Sequence, residues 1–85
     1  MALTDRDRKI LDLERAWWTE SEPKDTQIRE RFELSTTRYH QLLAELLDDE
    51  EALSYDPLVV RRLRRQRDRR RARLAPRVVE DDGAP

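Results

Sequence analysis

Positive charge in this 85-residue chain is concentrated in one short segment, which restricts what the chain can fold into. Residues 57–79 contain ten arginines and a single acidic residue, Asp68, whereas residues 1–56 contain 8 Lys or Arg against 15 Asp or Glu. The net charge is therefore −7 over residues 1–56 and +9 over residues 57–79, and the acidic residues 80–82 bring the whole chain to −1. Because the part of this segment after Leu63 is almost entirely arginine and cannot be buried, the hydrophobic core must come from the residues before it and must be small.

The spacing of the apolar residues and the presence of only one glycine predict an all-α fold. The first helix is predicted to begin after Thr4, because Thr4 with Asp7 three residues later is typical of a capping box. Its apolar face consists of residues three or four positions apart, namely Ile10, Leu13 and Trp17, widened by Leu11 and Trp18. We expect both tryptophans to pack in the core or at its edge, the alternative being an exposed tryptophan that binds a partner or stacks on a base.

The second half of the chain is predicted to begin a new helix at Pro57. Asp56 is a suitable N-cap and Pro57 suits the first helical position, so this helix should run until just before Pro76. The acidic run at residues 48–51 is expected to end the preceding helix. The whole is predicted to be a small three- to four-helix bundle in which residues 1–60 form a helix-turn-helix domain. Residues 61–77 are a protruding basic helical extension, and residues 78–85 a disordered acidic tail.

Residues 27–47 have the spacing of a helix-turn-helix. A helix with Pro23 in its first turn ends at Phe32, a short turn follows, and Ser35 is the N-cap of the next helix. This pattern resembles the helix-turn-helix of bacterial regulators and of the promoter-reading region of sigma factors. In that motif five apolar positions hold the two helices together, and here they are Ile28, Phe32, Leu34, Tyr39 and Leu42.

The same resemblance implies which residues face DNA, and it shows at which positions this chain differs from the usual motif. The positions facing the major groove are all polar, namely Ser35, Thr36, Thr37, Arg38, His40 and Gln41. The motif usually has a small residue where this chain has Arg29, which should therefore extend outward. It favours glycine in the turn where this chain has Glu33, and a non-glycine residue at positive φ costs about 1 kcal/mol.

The arginines of the basic extension are the second feature that points to DNA. Arginine suits bidentate contacts to phosphate, so we predict that the extension supplies most of the affinity. The predicted contacts are Arg61, Arg62, Arg64, Arg65, Arg67, Arg69, Arg70, Arg71 and Arg73. The alternative is that these arginines fold back onto the acidic surface of residues 1–56 or bind an acidic protein.

Several classes of protein are disfavoured by composition. The chain has no cysteine and one histidine, His40, so a zinc or haem site and a Ser-His-Asp triad are not expected. The only glycine, Gly83, is far from any nucleotide-binding loop. We therefore expect no enzymatic activity and no cofactor. No apolar stretch is long enough to span a bilayer and the N-terminus is too charged for a signal peptide, so we expect a cytoplasmic protein at the nucleoid.

Three segments together resemble a known family. They are LTDRDRKILDLERAWW, IRERFELSTTRYHQLLAELL and DPLVVRRLRRQRDRRRAR, and the resemblance extends over about residues 3–73. The family consists of short actinobacterial proteins with an uncharacterised, DUF3263-like domain built on a helix-turn-helix-like core. The Trp17-Trp18 pair and the Asp56-Pro57 helix start are its most specific features here. The resemblance implies an actinobacterial, cytoplasmic protein and supplies no activity.

The function that the residues favour is binding of double-stranded DNA, as a small transcription regulator or nucleoid-associated protein. The alternative, from a different class, is an adaptor that binds RNA polymerase or another acidic protein surface. No membrane partner is expected. The sequence leaves open whether the chain forms a homodimer. Leu43, Leu46 and Leu47 are candidates to extend beyond the core into an interface.

Overall fold

A computed structural model describes residues 2–74, and every regular element in that range is a helix. Helix α1 is Asp5–Ala16 and continues into a 3-10 turn, Trp17–Thr19. It is followed by α2 (Lys24–Phe32), α3 (Thr36–Leu47), α4 (Glu50–Tyr55) and α5 (Pro57–Leu74). The all-α prediction is confirmed. The tail predicted for residues 78–85 lies outside the described residues.

Local hydrogen bonds set three of the helix starts where the sequence predicts them. The Thr4 hydroxyl accepts a hydrogen bond from the Asp7 backbone N–H at 3.0 Å, and the Asp7 carboxylate accepts one from the Thr4 N–H at 3.1 Å. Ser35 caps α3 by accepting from the backbone N–H three residues later, at 3.1 Å. Asp56 does the same for α5 at 3.3 Å, with Pro57 as the first helical residue. Each cap satisfies a backbone donor that the helix itself leaves unpaired.

Two boundaries differ from the prediction. Pro23 is the N-cap of α2, and the helix begins one residue later, at Lys24. The acidic run at residues 48–51 does not simply end a helix, because α3 stops at Leu47 and the run begins α4, with the Asp49 carboxylate accepting from the Glu51 N–H at 2.8 Å. Acidic residues stabilise a helix N-terminus by complementing its dipole. The described residues therefore form five α-helices, where three to four were predicted.

The core is built mainly by α1 and α3, with one buried residue each from α2, α4 and α5. Its buried apolar residues are Ile10, Leu11, Leu13, Ile28, Tyr39, Leu42, Leu43, Leu46, Leu47, Ala52 and Val60. Leu43, Leu46 and Leu47, the candidates to extend beyond the core, are core residues instead, and whether the chain forms a homodimer stays a prediction. All three are at most 9% exposed within the single chain, in which α1, α4 and α5 all contact α3.

The two adjacent tryptophans have different environments. Trp17 packs against the core as a half-buried side chain, as predicted. Trp18 is 51% exposed, and its ring meets that of Trp17 edge-on at a centroid distance of 6.0 Å. At this point α1 gives way to the tighter 3-10 turn. Trp18 is thus available on the surface.

Helix α5 is continuous across the predicted boundary between residues 60 and 61. Val59 and Val60 are buried, and Leu63, one turn later, packs against the core. No side chain after Leu63 in the described part of α5 joins that cluster. The predicted basic extension is thus the projecting end of a helix whose first two turns belong to the bundle.

The turn between α2 and α3 contains the left-handed residue that the helix-turn-helix pattern predicts. Glu33 has φ 54° and ψ 36°, and its backbone N–H donates to the Arg29 carbonyl at 3.0 Å, closing the end of α2. The backbone of any residue with a Cβ is strained in this conformation. Glu33 is exposed, so no tertiary contact of its carboxylate offsets that strain.

We expect Glu33→Gly to stabilise the protein. Glycine adopts this conformation without strain, and the gain of about 1–2 kcal/mol is partly offset by the entropy that glycine adds to the unfolded chain. The net increase in the free energy of unfolding should be about 0.5–1 kcal/mol, measured by urea denaturation. The matched control is Glu30→Gly, an exposed position inside α2, which should lower it by about 1 kcal/mol. Equal losses in both variants would show that the turn is not strained.

Candidate nucleic-acid interface

The two helices of the predicted motif are held together at the five expected positions. Ile28, Tyr39 and Leu42 are buried, and the half-buried Phe32 and Leu34 pack against the core. The rings of Phe32 and Tyr39 are 5.6 Å apart at their centroids, which closes α2 onto α3. Arg29 is exposed, as expected from its size. The chain therefore has the internal packing of a helix-turn-helix.

The first two turns of α3 present most of the predicted recognition residues to solvent. Five of the six are exposed and the sixth, Thr36, is partly buried. Arg38 and Gln41 lie three residues apart, and the Arg38 guanidinium donates to the Gln41 side-chain oxygen at 3.3 Å. The ring of His40 lies against Tyr39, with centroids 5.4 Å apart. Donors and acceptors suited to base edges are thus displayed at the start of this helix.

Three of the nine predicted arginines instead contact the bundle. Arg62 donates to the Glu14 carbonyl at 2.9 Å and lies over the Trp18 ring, 5.1 Å from its centroid. Arg64 donates to the Leu47 carbonyl at 2.6 Å, at the C-terminus of α3. Arg67 forms an ion pair with Asp48 at 2.9 Å, and this contact raises the pKa of the guanidinium. All three thus fold back onto residues 1–56, but of these contacts only that of Arg67 with Asp48 meets an acidic side chain, as the alternative proposed.

Another four arginines form an outward-facing row that we call the arginine stripe. Its members are one helical turn apart on α5, namely Arg61, Arg65, Arg69 and Arg73. All four are exposed, and no ion pair joins them to another residue within 2–74. The stripe extends over about 18 Å, since each residue of an α-helix rises about 1.5 Å. Its charge is therefore open to a polyanion.

The two remaining arginines, Arg70 and Arg71, lie beside the recognition helix. They line a groove of about 650 Å³ between α3 and α5, and His40 lines the same groove from α3. The structure thus brings one predicted recognition residue together with two residues of the basic extension. Whether any of these side chains contacts DNA stays a prediction.

A buried polar cluster joins the helix-turn-helix to α1. The Glu14 carboxylate, only 2% exposed, pairs with the Lys24 ammonium at 2.8 Å and accepts a hydrogen bond from the Tyr39 hydroxyl at 2.5 Å. Burial, and next the neighbouring carboxylate, raise the pKa of Tyr39 far above its ordinary value, so the hydroxyl keeps its proton and acts as donor. The ammonium also lies 5.5 Å from the centroid of the Trp17 ring. These contacts fix α2 and α3 relative to α1.

This cluster does not follow from the local sequence pattern. Glu14 occupies a position next to the apolar residue Leu13 on α1, and its burial depends on a lysine ten residues away and a tyrosine on a third helix. The one sequence signal for the burial of Glu14 is its position on the apolar face of α1, four residues after Ile10. An acidic residue at such a position indicates a buried pair when a cation from another helix reaches it.

Two further features of the described residues bear on function. Within residues 2–74, no three His, Asp or Glu side chains are grouped closely enough to hold a metal ion. None of the helices described there combines the length and apolar character needed to cross a membrane.

Comparison with known proteins identifies a family without a described activity. Residues 2–74, the whole described range, match the family model whose description is Protein of unknown function (DUF3263). No curated protein and no solved structure has detectable similarity to the chain. The function therefore has to be inferred from the residues themselves.

Proposed function

We propose that the chain, which belongs to the DUF3263 family of proteins of unknown function, binds double-stranded DNA. The observation that carries the proposal is the arginine stripe, four exposed guanidinium groups at one-turn spacing with no ion pair to another described residue. Neutralising DNA phosphates releases condensed counterions, which gives such a row affinity for any duplex. Over about 18 Å of axis, one DNA strand presents roughly five phosphates, enough for every member of the stripe.

The start of α3 supplies the sequence preference in this proposal. Arginine suits a guanine edge and glutamine an adenine edge, and Arg38 and Gln41 are both exposed and near enough to hydrogen-bond each other. Ser35 and Thr36 lie at the helix N-terminus, where backbone N–H groups and the helix dipole favour a phosphate. The buried packing of α2 on α3 holds this face rigid. Recognition of a DNA base sequence requires such rigidity.

The acidic body restricts how the protein meets DNA. Residues 1–56 carry a net charge of −7, so most of that surface repels phosphate. Contact is confined to the start of α3 and to the projecting half of α5. A small transcription regulator or nucleoid-associated protein, located at the nucleoid and without catalytic activity or a cofactor, fits this distribution of charge.

The first experiment measures fluorescence anisotropy of a labelled random-sequence duplex as full-length protein is added, at several salt concentrations. Binding that weakens by roughly three powers of ten between 50 and 200 mM salt, as expected for six or more phosphate contacts, supports the proposal. Absence of binding at 50 mM salt contradicts it. In that case, co-purification of RNA polymerase with the full chain would support the adaptor as the function.

The contribution of α3 is tested separately by a selection of preferred sequences from a random duplex library. In Thr37→Ala/Arg38→Ala/Gln41→Ala, we expect the preference to be lost, at about 1–3 kcal/mol for each base contact removed. Binding to random duplex should change much less, because the stripe is intact. The control is Arg31→Ala, an exposed arginine at the end of α2. An unchanged preference in the triple variant would exclude α3 as the reading helix.

A further inference from the structure

The groove between α3 and α5 combines positive charge with an exposed aromatic ring. Of the described residues that line it, five are Lys or Arg and one is acidic. Two of the five cations are already paired with carboxylates, Lys24 with Glu14 and Arg67 with Asp48. The other three have no ion pair to another residue within 2–74, namely Arg62, Arg70 and Arg71. The groove therefore retains positive charge for an anionic ligand.

The exposed ring is that of Trp18, which two neighbours hold in position. The Arg62 guanidinium lies 5.1 Å from the ring centroid and also donates to the Glu14 carbonyl at 2.9 Å, which fixes its place. The Trp17 ring meets the Trp18 ring edge-on, with centroids 6.0 Å apart. Trp18 is still 51% exposed and lines the groove. A ring positioned in advance loses little conformational entropy when a planar ligand stacks on it.

Polar side chains of α5 follow the groove away from this ring at one-turn intervals. Arg62, Gln66 and Arg70 are four residues apart, and all three line the groove. About 12 Å of helix axis separates the first from the last. The Gln66 amide has both donors and acceptors for a base edge, and the guanidinium of Arg70 suits a phosphate. The groove therefore offers a stacking surface, a hydrogen-bonding amide and a cation in succession.

We propose that this groove binds a single strand of DNA, with one base stacked on Trp18 and adjoining phosphates paired with Arg70 and Arg71. Proteins that hold unpaired bases combine a positively charged groove with aromatic side chains in this way. Inside a duplex the faces of each base are covered by its neighbours, so Trp18 favours an unpaired strand. The site is separate from the arginine stripe, none of whose members lines the groove. Only the choice of DNA over RNA rests on the proposed function.

The test measures anisotropy of a labelled oligothymidylate of about ten nucleotides, a length within the range of single-stranded binding sites. Trp18→Ala should bind it roughly 5- to 150-fold more weakly, which corresponds to the loss of one stacked base. Its affinity for random-sequence duplex should not change, because the arginine stripe is intact. The matched control is Tyr55→Ala, which removes an exposed aromatic side chain outside the groove and should leave oligothymidylate binding unchanged.

The phosphate contacts are tested by Arg70→Gln/Arg71→Gln. The slope of log affinity for oligothymidylate against log salt should fall by about 1.4, because each phosphate contact to a single strand contributes about 0.7. The control Arg65→Gln/Arg69→Gln removes the same charge from the arginine stripe and should leave this slope unchanged. An equal fall in both variants would place the strand outside the groove and contradict the proposal.

A further measurement uses the unaltered full-length protein. An abasic oligonucleotide of the same length keeps the phosphates and lacks the bases, so it should bind as weakly as oligothymidylate binds to Trp18→Ala. Equal affinity for the two oligonucleotides would overturn the proposal, as would unchanged oligothymidylate binding in Trp18→Ala. Tighter binding of oligouridylate than of oligothymidylate would overturn the assignment to DNA. If oligothymidylate binds as expected and duplex does not bind at all, the proposed function fails and this site stands.

Discussion

A variant in which Arg65, Arg69 and Arg73 are replaced by glutamine should lose most of its affinity for random-sequence duplex DNA. These residues are three of the four members of the arginine stripe, all exposed and without an ion pair to another residue in 2–74. Each phosphate contact contributes about 0.9 to the slope of log affinity against log salt, so the slope should fall by about 2.7. At 50 mM salt the affinity should fall roughly 10²- to 10³-fold.

The matched control removes three positive charges from another surface. Arg6→Gln/Lys9→Gln/Arg31→Gln alters exposed residues of α1 and α2 and gives the same net charge as the stripe variant. Arg31 forms one ion pair, with Glu20 at 3.9 Å, and a pair so exposed contributes little to stability. If the control lost as much affinity as the stripe variant, overall charge and not the position of the stripe would explain binding. Circular dichroism of both variants checks that α5 stays helical.

The second large effect is expected at the buried carboxylate. Glu14→Ala removes the partner of the Lys24 ammonium and of the Tyr39 hydroxyl, and leaves both groups in the space between α1, α2 and α3. Breaking a buried ion pair in this way costs about 3–5 kcal/mol. Because domains of this size have only about 5–15 kcal/mol of stability, the variant should be close to unfolding at room temperature. Urea denaturation followed by far-ultraviolet circular dichroism measures the loss.

Two control variants distinguish the effect of breaking the ion pair from a general sensitivity of the bundle to substitution. Glu30→Ala removes an exposed carboxylate from α2 and should change the free energy of unfolding by less than about 0.5 kcal/mol. Glu14→Leu/Lys24→Met/Tyr39→Phe replaces the whole cluster with apolar side chains and should restore much of the stability lost in Glu14→Ala. A triple variant as unstable as Glu14→Ala would show that the cluster contributes more than the avoidance of an unpaired charge.

Features governed by neighbours in sequence could be predicted, because their interactions span only three or four residues. The caps at Thr4, Ser35 and Asp56 are hydrogen bonds of this kind, and the left-handed residue Glu33 closes α2 through a bond four positions back. The short helix α4 was not predicted, although its cap is also local, because its sequence signal is ambiguous. An acidic run both ends one helix and begins another, and only the Asp49 cap shows which occurs.

The sequence by itself determined that this chain is helical, where most of its helices begin, and that its positive charge is concentrated after residue 56. Only the tertiary structure decided which arginines are open to a partner. Arg64 meets a carbonyl 17 positions away and Arg62 one 48 positions away, so neither contact follows from local pattern. The burial of Glu14 and the groove between α3 and α5 likewise depend on how separate helices pack. Side-chain type and spacing specify local hydrogen bonds, whereas exposure is a property of the packed chain.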